Sequence, residues 1–333
     1  SICYKIYKFN TTRETTTGFF IMVDYSAAKW IDDTDFYKYP RTRSLRISAE
    51  GGTSTSRGML EQDGNAGFTT AGTSQQKFAI HMWVKRGRLC VEEGFAMVLF
   101  CAGGGANNTN TIRETTLRFT ADDKLEFIHR DAGNSVTTFR RTKRKFRDVA
   151  NWMHIALVVN STDSNADNRV RIFINYLVIP TGAYETFTTV PQNQNFHVNA
   201  ANTSQKIGTI AYVHTSTNHR LHFDGYIADP HMFDGTNQTP NAHTVSANGF
   251  SQTCIPRLSI AANPNRATIY GTKGYNFSFE GSGGQNSVNI TDVIGNMPTN
   301  IPIWNIDSSG GGGGTNVYVC LLYTSPSPRD ERL

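Results

Sequence analysis

Short runs in which apolar and polar residues alternate are the dominant pattern along the chain, and this period of two predicts half-buried β-strands. The clearest runs are residues 77–85, 124–129 and 168–175, and residues 275–280 repeat the pattern with three aromatic side chains. Residues 152–159 are apolar at nearly every position, which predicts a central strand with both faces covered.

The segments between these runs have the composition of loops. Residues 102–110, 160–168 and 190–205 are rich in Gly, Asn, Thr, Ser and Asp. Only residues 23–31 and 241–248 predict a short turn of helix. Many short strands with few helices predict an all-β fold, a two-sheet antiparallel jelly-roll sandwich with irregular terminal segments.

The predicted sandwich covers residues 43–280, between two segments of different composition. Residues 1–42 are expected to form a leader or an N-terminal arm. Residues 1–21 carry no signal-peptide pattern and precede the first methionine, Met22, which favours a leader read through in frame over a native segment. Residues 281–319 are rich in Gly and Asn and end near a run of five glycines, which predicts a tail or linker.

The last residues of the chain resemble a cloning or sequencing artefact more than native protein. Residues 320–330 resemble the translation of a transposase-type sequencing adapter over eleven consecutive positions. We therefore expect residues 320–333 to be an artefact, and the native protein to continue differently after Val319.

Composition excludes several classes of protein. The 333 residues carry a net charge of +5, which is too small and too dispersed for a specific nucleic-acid binder. The longest apolar runs are far shorter than a membrane span, so no membrane insertion is expected. Outside the two doubtful ends, Cys90, Cys101 and Cys254 have neither a disulfide nor a metal-ligand spacing, which favours synthesis in a reducing cytoplasm.

Five segments resemble one family in their order along the chain: residues 44–47, 78–87 (FAIHMWVKRG), 152–175, 223–239 (FDGYIADPHMFDGTNQT) and 270–280 (YGTKGYNFSFE). Together they are similar to the laminin-G-like, concanavalin A-like jelly rolls of bacteriophage tail-fibre and other virion proteins. The resemblance implies a scaffold that binds carbohydrate or other virion parts, and it transfers no catalytic residue.

Two positions depart from the family pattern. Tyr176 replaces a glycine of the hairpin turn, so we expect the tight turn after Asn175 to be remodelled. Pro230 replaces a valine inside a strand, and because proline cannot donate to a ladder, that strand is expected to be an edge strand or to carry a bulge.

Catalytic residues are not predicted, and we expect no enzymatic activity. Retaining glycosidases on a related jelly roll need two carboxyls facing each other. Glu61 and Asp63 supply only half of such a pattern, and Glu92 and Glu93 are adjacent and would point to opposite faces of a strand. The sequence also lacks a Gly-x-Ser-x-Gly elbow and a His-Glu-x-x-His helix.

Residues 140–147 form the densest charged stretch, with six basic residues in eight. In one interpretation this stretch binds phosphates or an acidic partner subunit, and the residues that would do so are Arg140, Arg141, Lys143, Arg144 and Lys145. The alternative, which the sequence favours, is a solvated strand end whose charges prevent edge-to-edge pairing.

Metal ligands and carbohydrate-binding residues cannot be assigned from the sequence. His214, His219 and His222 with Asp224 match no zinc spacing and fit a polar hairpin. Calcium is the better candidate cofactor, because many laminin-G-like and lectin jelly rolls bind it at a loop rim. The carboxylates in suitable loops are Asp122, Asp123, Asp163 and Asp167. Among the tryptophans, Trp83 and Trp152 are expected in the core.

The sequence as a whole predicts a non-enzymatic virion protein of a bacteriophage, associated with the tail or fibres, that presents a carbohydrate-binding or assembly surface. Its expected partners are bacterial surface glycans, other virion proteins and further copies of itself, after assembly in the host cytoplasm. The alternatives are a secreted cellular lectin or adhesin and a glycan hydrolase on the same fold.

Overall fold

The computed structural model describes residues 43–47, 60–62, 70–104, 113–131, 135–209, 221–237, 239–240, 270–277, 279, 305–306 and 317–321. Within them the strands, in chain order, are β1 (Arg43–Ile47), β2 (Leu60–Gln62), β3 (Lys77–Arg86), β4 (Met97–Gly104), β5 (Arg113–Phe119), β6 (Lys124–Arg130), β7 (Val136–Lys145), β8 (Met153–Asn160), β9 (Val170–Ile174), β10 (Leu177–Val178), β11 (Tyr184–Phe187), β12 (Ser204–Ile207), β13 (Gly225–Asp234), β14 (Tyr275–Asn276), β15 (Asn305–Ile306) and β16 (Val317–Leu321). One short helix, α1 (Cys90–Glu93), and two 3₁₀ turns, Ala166–Asn168 and Thr181–Ala183, complete the described elements.

The strands form two antiparallel sheets of eight strands each. The first sheet has the order β10-β9-β8-β3-β13-β1-β16, with β14 paired to the far part of β13. The second has the order β11-β7-β6-β5-β4-β12-β2-β15. The predicted all-β, two-sheet jelly-roll sandwich is thereby confirmed.

The core lies between the two sheets and is built by the alternation seen in the sequence. Phe78, Ile80, Met82 and Val84 of β3 point inward, and so do Leu117 and Phe119 of β5 and Leu125 and Phe127 of β6. Strand β8 is buried at Met153–Val159, as its continuous apolar run predicted. Alternate side chains on one face of each strand are therefore what hold the sheets together.

Several smaller sequence predictions can be compared with the described residues. Glu92 and Glu93 lie in α1 and not in a strand. Strand β16 pairs with β1 from Arg43↔Leu321 to Ile47↔Val317, so the first two residues of the adapter-like segment lie in this strand.

The domain boundaries stay a prediction, and residues 23–31 and 241–248 lie outside the described residues. No helix in the described part of the chain is long and apolar enough to cross a membrane.

The turn at Tyr176 is not remodelled, so that expectation was wrong. Ile174 pairs with Leu177, which leaves Asn175 and Tyr176 as the two central residues of the β9–β10 hairpin. Both have positive φ, 49° and 70°, as a type I′ turn requires. The Tyr176 ring stacks on His154, with ring centroids 4.7 Å apart, and this packing offsets the cost of a left-handed tyrosine.

The bulge predicted at Pro230 is confirmed. Along β13 the pairing with β3 shifts between Ala228 and His231, so Asp229 and Pro230 together oppose the single residue Met82 and β13 carries one extra residue. Asp229 takes a left-handed φ of 48° at this bulge. The irregularity brings the side chains of Asp229 and His231 within hydrogen-bond distance, with Oδ2 and Nε2 2.8 Å apart.

Strand β3 defines the two ends of the sandwich. At its start, Lys77 pairs with Asn160, so the loop after β8 lies at this end. At its end, Arg86 forms an ion pair with Asp123 of the β5–β6 turn, 2.9 Å apart. We call these the Lys77 end and the Arg86 end.

Candidate functional site

The basic stretch of β7 is divided between the interior and the surface. Arg140 is 3% exposed, donates to the carbonyl oxygen of Thr188 and lies 5.1 Å from the ring centroid of Phe187. Arg141 donates from Nε to Oε2 of Glu126 at 2.7 Å. Both guanidiniums therefore already have partners within the fold.

The other three basic residues of the stretch that lie in β7 are exposed. The Lys143 ammonium donates to the carbonyl oxygen of Gly182 at 2.8 Å, and Arg144 lies 5.2 Å from the ring of Phe146. Lys145 ends the strand. The structure thus brings Lys143, Arg144 and Lys145 to the surface but not Arg140, and the anion-binding role of the stretch stays a prediction.

Two buried carboxylates on the outer face of the second sheet do not form a glycosidase pair. Glu126 accepts from Arg118 and Arg141, and Glu114 accepts from Arg130. Glu126 of β6 lies opposite Arg118 of β5, and Arg118 is four positions along β5 from Glu114. Four positions span roughly 13 Å at ~3.3 Å per residue. Both glycosidase geometries need shorter separations, about 5–5.5 Å or about 6.5–9.5 Å.

The four loop carboxylates that the sequence offered for calcium, without assigning a ligand, lie at opposite ends of the sandwich. Asp122 and Asp123 are at the Arg86 end, whereas Asp163 and Asp167 are in the loop at the Lys77 end. Asp123 is held by two arginines, Arg86 and Arg147. The side chain of Asp122 bonds to Lys124, which lowers the pKa of this carboxyl to about 2. The four carboxylates therefore cannot share one ion.

The three histidines of residues 214–222, which match no zinc spacing, lie mostly outside the described residues. His214 and His219 lie outside them, and His222 is 7% exposed. Asp224 is fully buried and forms an ion pair with Arg46, 2.8 Å apart. The described members therefore have structural surroundings.

A line of cationic and aromatic side chains crosses the outer face of the first sheet. Arg46 of β1 is opposite Tyr226 of β13, and Tyr226 is opposite Lys85 of β3. Since the next residues along each strand point into the core, these three share the outer face. Trp152, directly before β8, continues the line. We call Arg46, Tyr226, Lys85 and Trp152 the cation–aromatic row.

Tyr226 contacts both Trp152 and Arg46, and all four members of the row are partly exposed. The rings of Trp152 and Tyr226 have centroids 6.2 Å apart and an edge-to-face angle of 62°. The Arg46 guanidinium lies 5.1 Å from the Tyr226 centroid. Trp152 packs against Trp83, which is 2% exposed. Trp83 is therefore in the core as expected, whereas Trp152 is not fully buried, because it lies just outside the strand.

This arrangement suits an anionic ligand with an apolar face. The aromatic rings present flat apolar surfaces with a polar edge. The Lys85 ammonium supplies a positive charge beside the rings. The Arg46 guanidinium pairs with Asp224 and donates to the Gly225 carbonyl oxygen, but these contacts use only part of its five N–H donors, and the others remain for a ligand carboxylate or phosphate. An acidic sugar has both features, since its ring carries a face of C–H groups and its substituent carries the charge.

On the same outer face, farther along the strands from the row, lies a layer of buried histidines. His231 bonds through Nε2 to Asp229 and through Nδ1 to the hydroxyl of Tyr270. The order carboxylate–imidazole–hydroxyl is that of a proton relay, but none of the three side chains is more than 3% exposed. Without access for a substrate, the chain serves to fix the bulge of β13.

His154 of this layer predicts a loss of stability in acid. Burial lowers its pKa to about 3, with His231 lowering it further and Asp229 raising it; His81 also packs on its ring. Because the folded pKa is below the unfolded value of ~6.5, this stability is present above pH ~6.5 and is lost as the pH falls toward 3. We expect the titration of His154 to lower the free energy of unfolding by about 2–3 kcal/mol when the pH falls from 7 to 4.

Denaturant titrations at several pH values measure this dependence. His154→Phe keeps the stacking on Tyr176 and removes the titrating group, so the variant should show a flatter profile between pH 7 and pH 4. Identical profiles for the two proteins would contradict the assignment.

A second polar group lies at the Lys77 end, where β6 meets the loop that contains Phe196 and His197. The side chains of His129, Asp131 and His197 bring one ligand atom each within 4.8 Å of one another. His129 Nε2 is 3.1 Å from Asp131 Oδ1, and its Nδ1 is 2.9 Å from the hydroxyl of Thr115. We call His129, Asp131 and His197 the His129 cluster.

Burial keeps both imidazoles of the His129 cluster neutral. Desolvation lowers the pKa of His129 to about 4, the nearby His197 lowers it further, and Asp131 opposes the shift. Burial also lowers the pKa of His197. Neutral imidazoles beside a carboxylate can hold a metal ion. Sequence reasoning missed this cluster, since His129 and His197 are far apart in the chain and follow no ligand spacing.

Comparisons with known proteins show limited similarity. No family model matches the chain, and no curated protein matches it. Among solved structures, a heptameric pentraxin of Limulus polyphemus is similar over 67% of this chain and 90% of its own, with 12% identity and a TM-score of 0.41. The CBM40 of Ruminococcus gnavus IT-sialidase, solved with α2,3-sialyllactose, is similar over 60% of this chain and 94% of its own, with 12% identity and a TM-score of 0.37.

A third similar structure is the LG1-3 region of the laminin α2 chain, which covers 55% of this chain and 32% of its own, with 12% identity and a TM-score of 0.33. These neighbours are of the pentraxin, laminin-G and carbohydrate-binding classes. At such identities and TM-scores they carry no argument about the ligand of this chain, which has to come from its own residues.

Proposed function

We propose that the chain is a non-catalytic glycan-recognition protein whose cation–aromatic row binds an acidic bacterial surface glycan. The observation that carries the proposal is the row itself: two contacting aromatic rings flanked by Arg46 and Lys85 on one partly exposed sheet face. A rigid sheet holds these side chains in place before binding, which limits the entropic cost of association.

The setting that we propose is a bacteriophage virion, in the tail or its fibres. This part of the proposal is supported by the resemblance of five ordered sequence segments to virion jelly rolls. A net charge of +5 favours approach to the anionic surface of a bacterium. Binding to other virion proteins is the competing use of the same surface.

A catalytic role is not part of the proposal. The buried carboxylates Glu114 and Glu126 are each engaged by arginine and are too far apart to flank one glycosidic bond. Calcium is not required for the row either, because Asp224 beside it is already paired with Arg46. We therefore expect binding without turnover and without a calcium requirement.

The test is a titration of the purified 333-residue chain against neutral and acidic bacterial glycans, followed by substitution. Trp152→Ala removes one wall of the row and should weaken binding about tenfold or more, since truncating a tryptophan that is central to an interface costs ~2 kcal/mol or more. Phe187→Ala is the matched control, because Phe187 is an exposed aromatic residue on the other sheet, 44% accessible.

The outcomes separate the two uses of the surface. A loss confined to Trp152→Ala supports the proposal. Equal affinities for wild type and Trp152→Ala would place the glycan elsewhere, and no binding to any glycan would favour an assembly role.

A further inference from the structure

We propose that the His129 cluster is a binding site for a divalent transition-metal ion of the zinc type. Its two imidazoles and one carboxylate are the donor set that zinc takes in proteins, with bonds of about 2.0–2.2 Å. Calcium and magnesium prefer oxygen donors throughout, so the metal expected here differs from the calcium that the sequence suggested.

The separation of the donors fits a single small ion. Bonds of about 2.0–2.2 Å in a tetrahedral arrangement place two donor atoms roughly 3.3–3.5 Å apart. His129 Nε2 and Asp131 Oδ1 are already 3.1 Å apart, and the full set lies within 4.8 Å. The Asp131 side chain is 42% exposed and the His129 side chain is fully buried, so small rotations at the exposed rim complete the geometry.

The outer hydrogen bonds orient both imidazoles for this role. The carbonyl oxygen of Arg130 can only accept, so His197 Nε2, 2.8 Å away, carries the proton and leaves Nδ1 as the ligand atom. The Thr115 hydroxyl oxygen has two lone pairs, and it accepts the backbone N–H of His197 at 3.0 Å. In the ion-free protein His129 Nε2 faces the Asp131 carboxylate and donates to it. When a metal ion binds, the second lone pair of the Thr115 oxygen can accept Nδ1–H of His129, which frees Nε2 to bind the metal.

The cluster also has a structural consequence for the loop that carries His197. His129 and Asp131 belong to β6 and its end, whereas His197 belongs to the chain between β11 and β12. The Gln194 amide lies 3.3 Å from His129 Nε2 and covers the same side of the cluster. A bound ion would fasten this loop to the sheet and stabilise the folded state in proportion to its free concentration.

The experiment titrates zinc chloride into the untagged, chelator-stripped chain by calorimetry, with thermal unfolding followed in parallel. The expected result is saturable binding of one ion per chain, a rise in Tm with zinc, and no comparable effect of calcium chloride. Asp131→Asn and His197→Gln should each weaken zinc binding at least tenfold and abolish the rise in Tm. Both substituted side chains lie at the rim of the sandwich, so neither substitution removes the buried His129.

Asp163→Asn is the matched control, since Asp163 is a carboxylate of the same end that does not belong to the cluster. It should bind zinc as the wild type does. Absence of saturable binding and of a Tm shift in the wild type would overturn the proposal, and so would wild-type zinc affinity in both rim variants. Neither readout depends on glycan binding, so the two proposals fail separately.

Discussion

Asp234→Ala is expected to lower the free energy of unfolding by about 4 kcal/mol. The Asp234 carboxylate is 1% exposed and accepts five hydrogen bonds. The donors are the backbone N–H groups of Thr73, Ser74 and Lys273, the Thr272 hydroxyl and the Asn199 amide, at 2.7–3.1 Å. Alanine would leave these donors without their acceptor in the interior, at ~1–3 kcal/mol for each buried group that finds no replacement.

The position of Asp234 explains why one side chain has this effect. It ends β13 and fastens two separate segments, 72–74 and 270–273, to the end of the first sheet. Gly271 has a φ of 68°, and a Cβ there would come within 2.0 Å of the Asp234 carbonyl oxygen. The two segments are therefore packed too tightly to rearrange around a missing carboxylate.

Denaturant unfolding of wild type, Asp234→Ala, Asp234→Asn and Asp167→Ala measures this effect. Asparagine keeps the shape but turns an amide N–H toward other donors, so an intermediate loss of about 2 kcal/mol is expected. Asp167 is exposed, and its replacement should cost little. A loss for Asp234→Ala no larger than that for Asp167→Ala would contradict this account of the loop anchor.

Asp123→Ala is expected to destabilise the protein by about 3–5 kcal/mol, because it leaves the Arg86 charge buried without its partner. Arg86 and Asp123 are both fully buried at their side chains and 2.9 Å apart. The same carboxylate accepts the Cys90 backbone N–H at 2.7 Å and faces Arg147 at 3.1 Å. This pair joins β3 of the first sheet to the β5–β6 turn of the second.

A double-mutant cycle distinguishes a paired charge from simple packing. Arg86→Met with Asp123→Ala removes both charges, so the double variant should lose less stability than the sum of the two single losses. Denaturant unfolding of the four proteins gives the coupling free energy. Additive losses would show that the two side chains do not act as a pair.

The alternation of apolar residues was sufficient to predict the sandwich, because it reports directly which face of each strand is buried. Lys77–Arg86 and Lys124–Arg130 match their predicted runs within one residue. The bulge at Pro230 was also predictable, since proline lacks the N–H that a ladder needs. The turn at Tyr176 was not, because the stacking of Tyr176 on His154 depends on a residue in a different strand.

The candidate sites could not be predicted, because they depend on contacts between distant parts of the chain. Asp123 was assigned to a loop and suggested calcium, but Arg86, with which it pairs, is in another sheet. The cation–aromatic row needs the strand order β1-β13-β3-β8, which no sequence pattern specifies. All four members of the row do lie in the motif segments 44–47, 78–87, 152–175 and 223–239, and that is the one signal the sequence held for the row.

The most direct test of the proposed function compares an acidic bacterial glycan with its carboxyl-reduced derivative, by titration into the full chain at low and high salt. The account predicts saturable binding of the acidic glycan, at least tenfold weaker binding of the reduced one, and a smaller difference at high salt, because Arg46 and Lys85 lie on an exposed face. Equal affinity for the two glycans, or no binding of either, would contradict it.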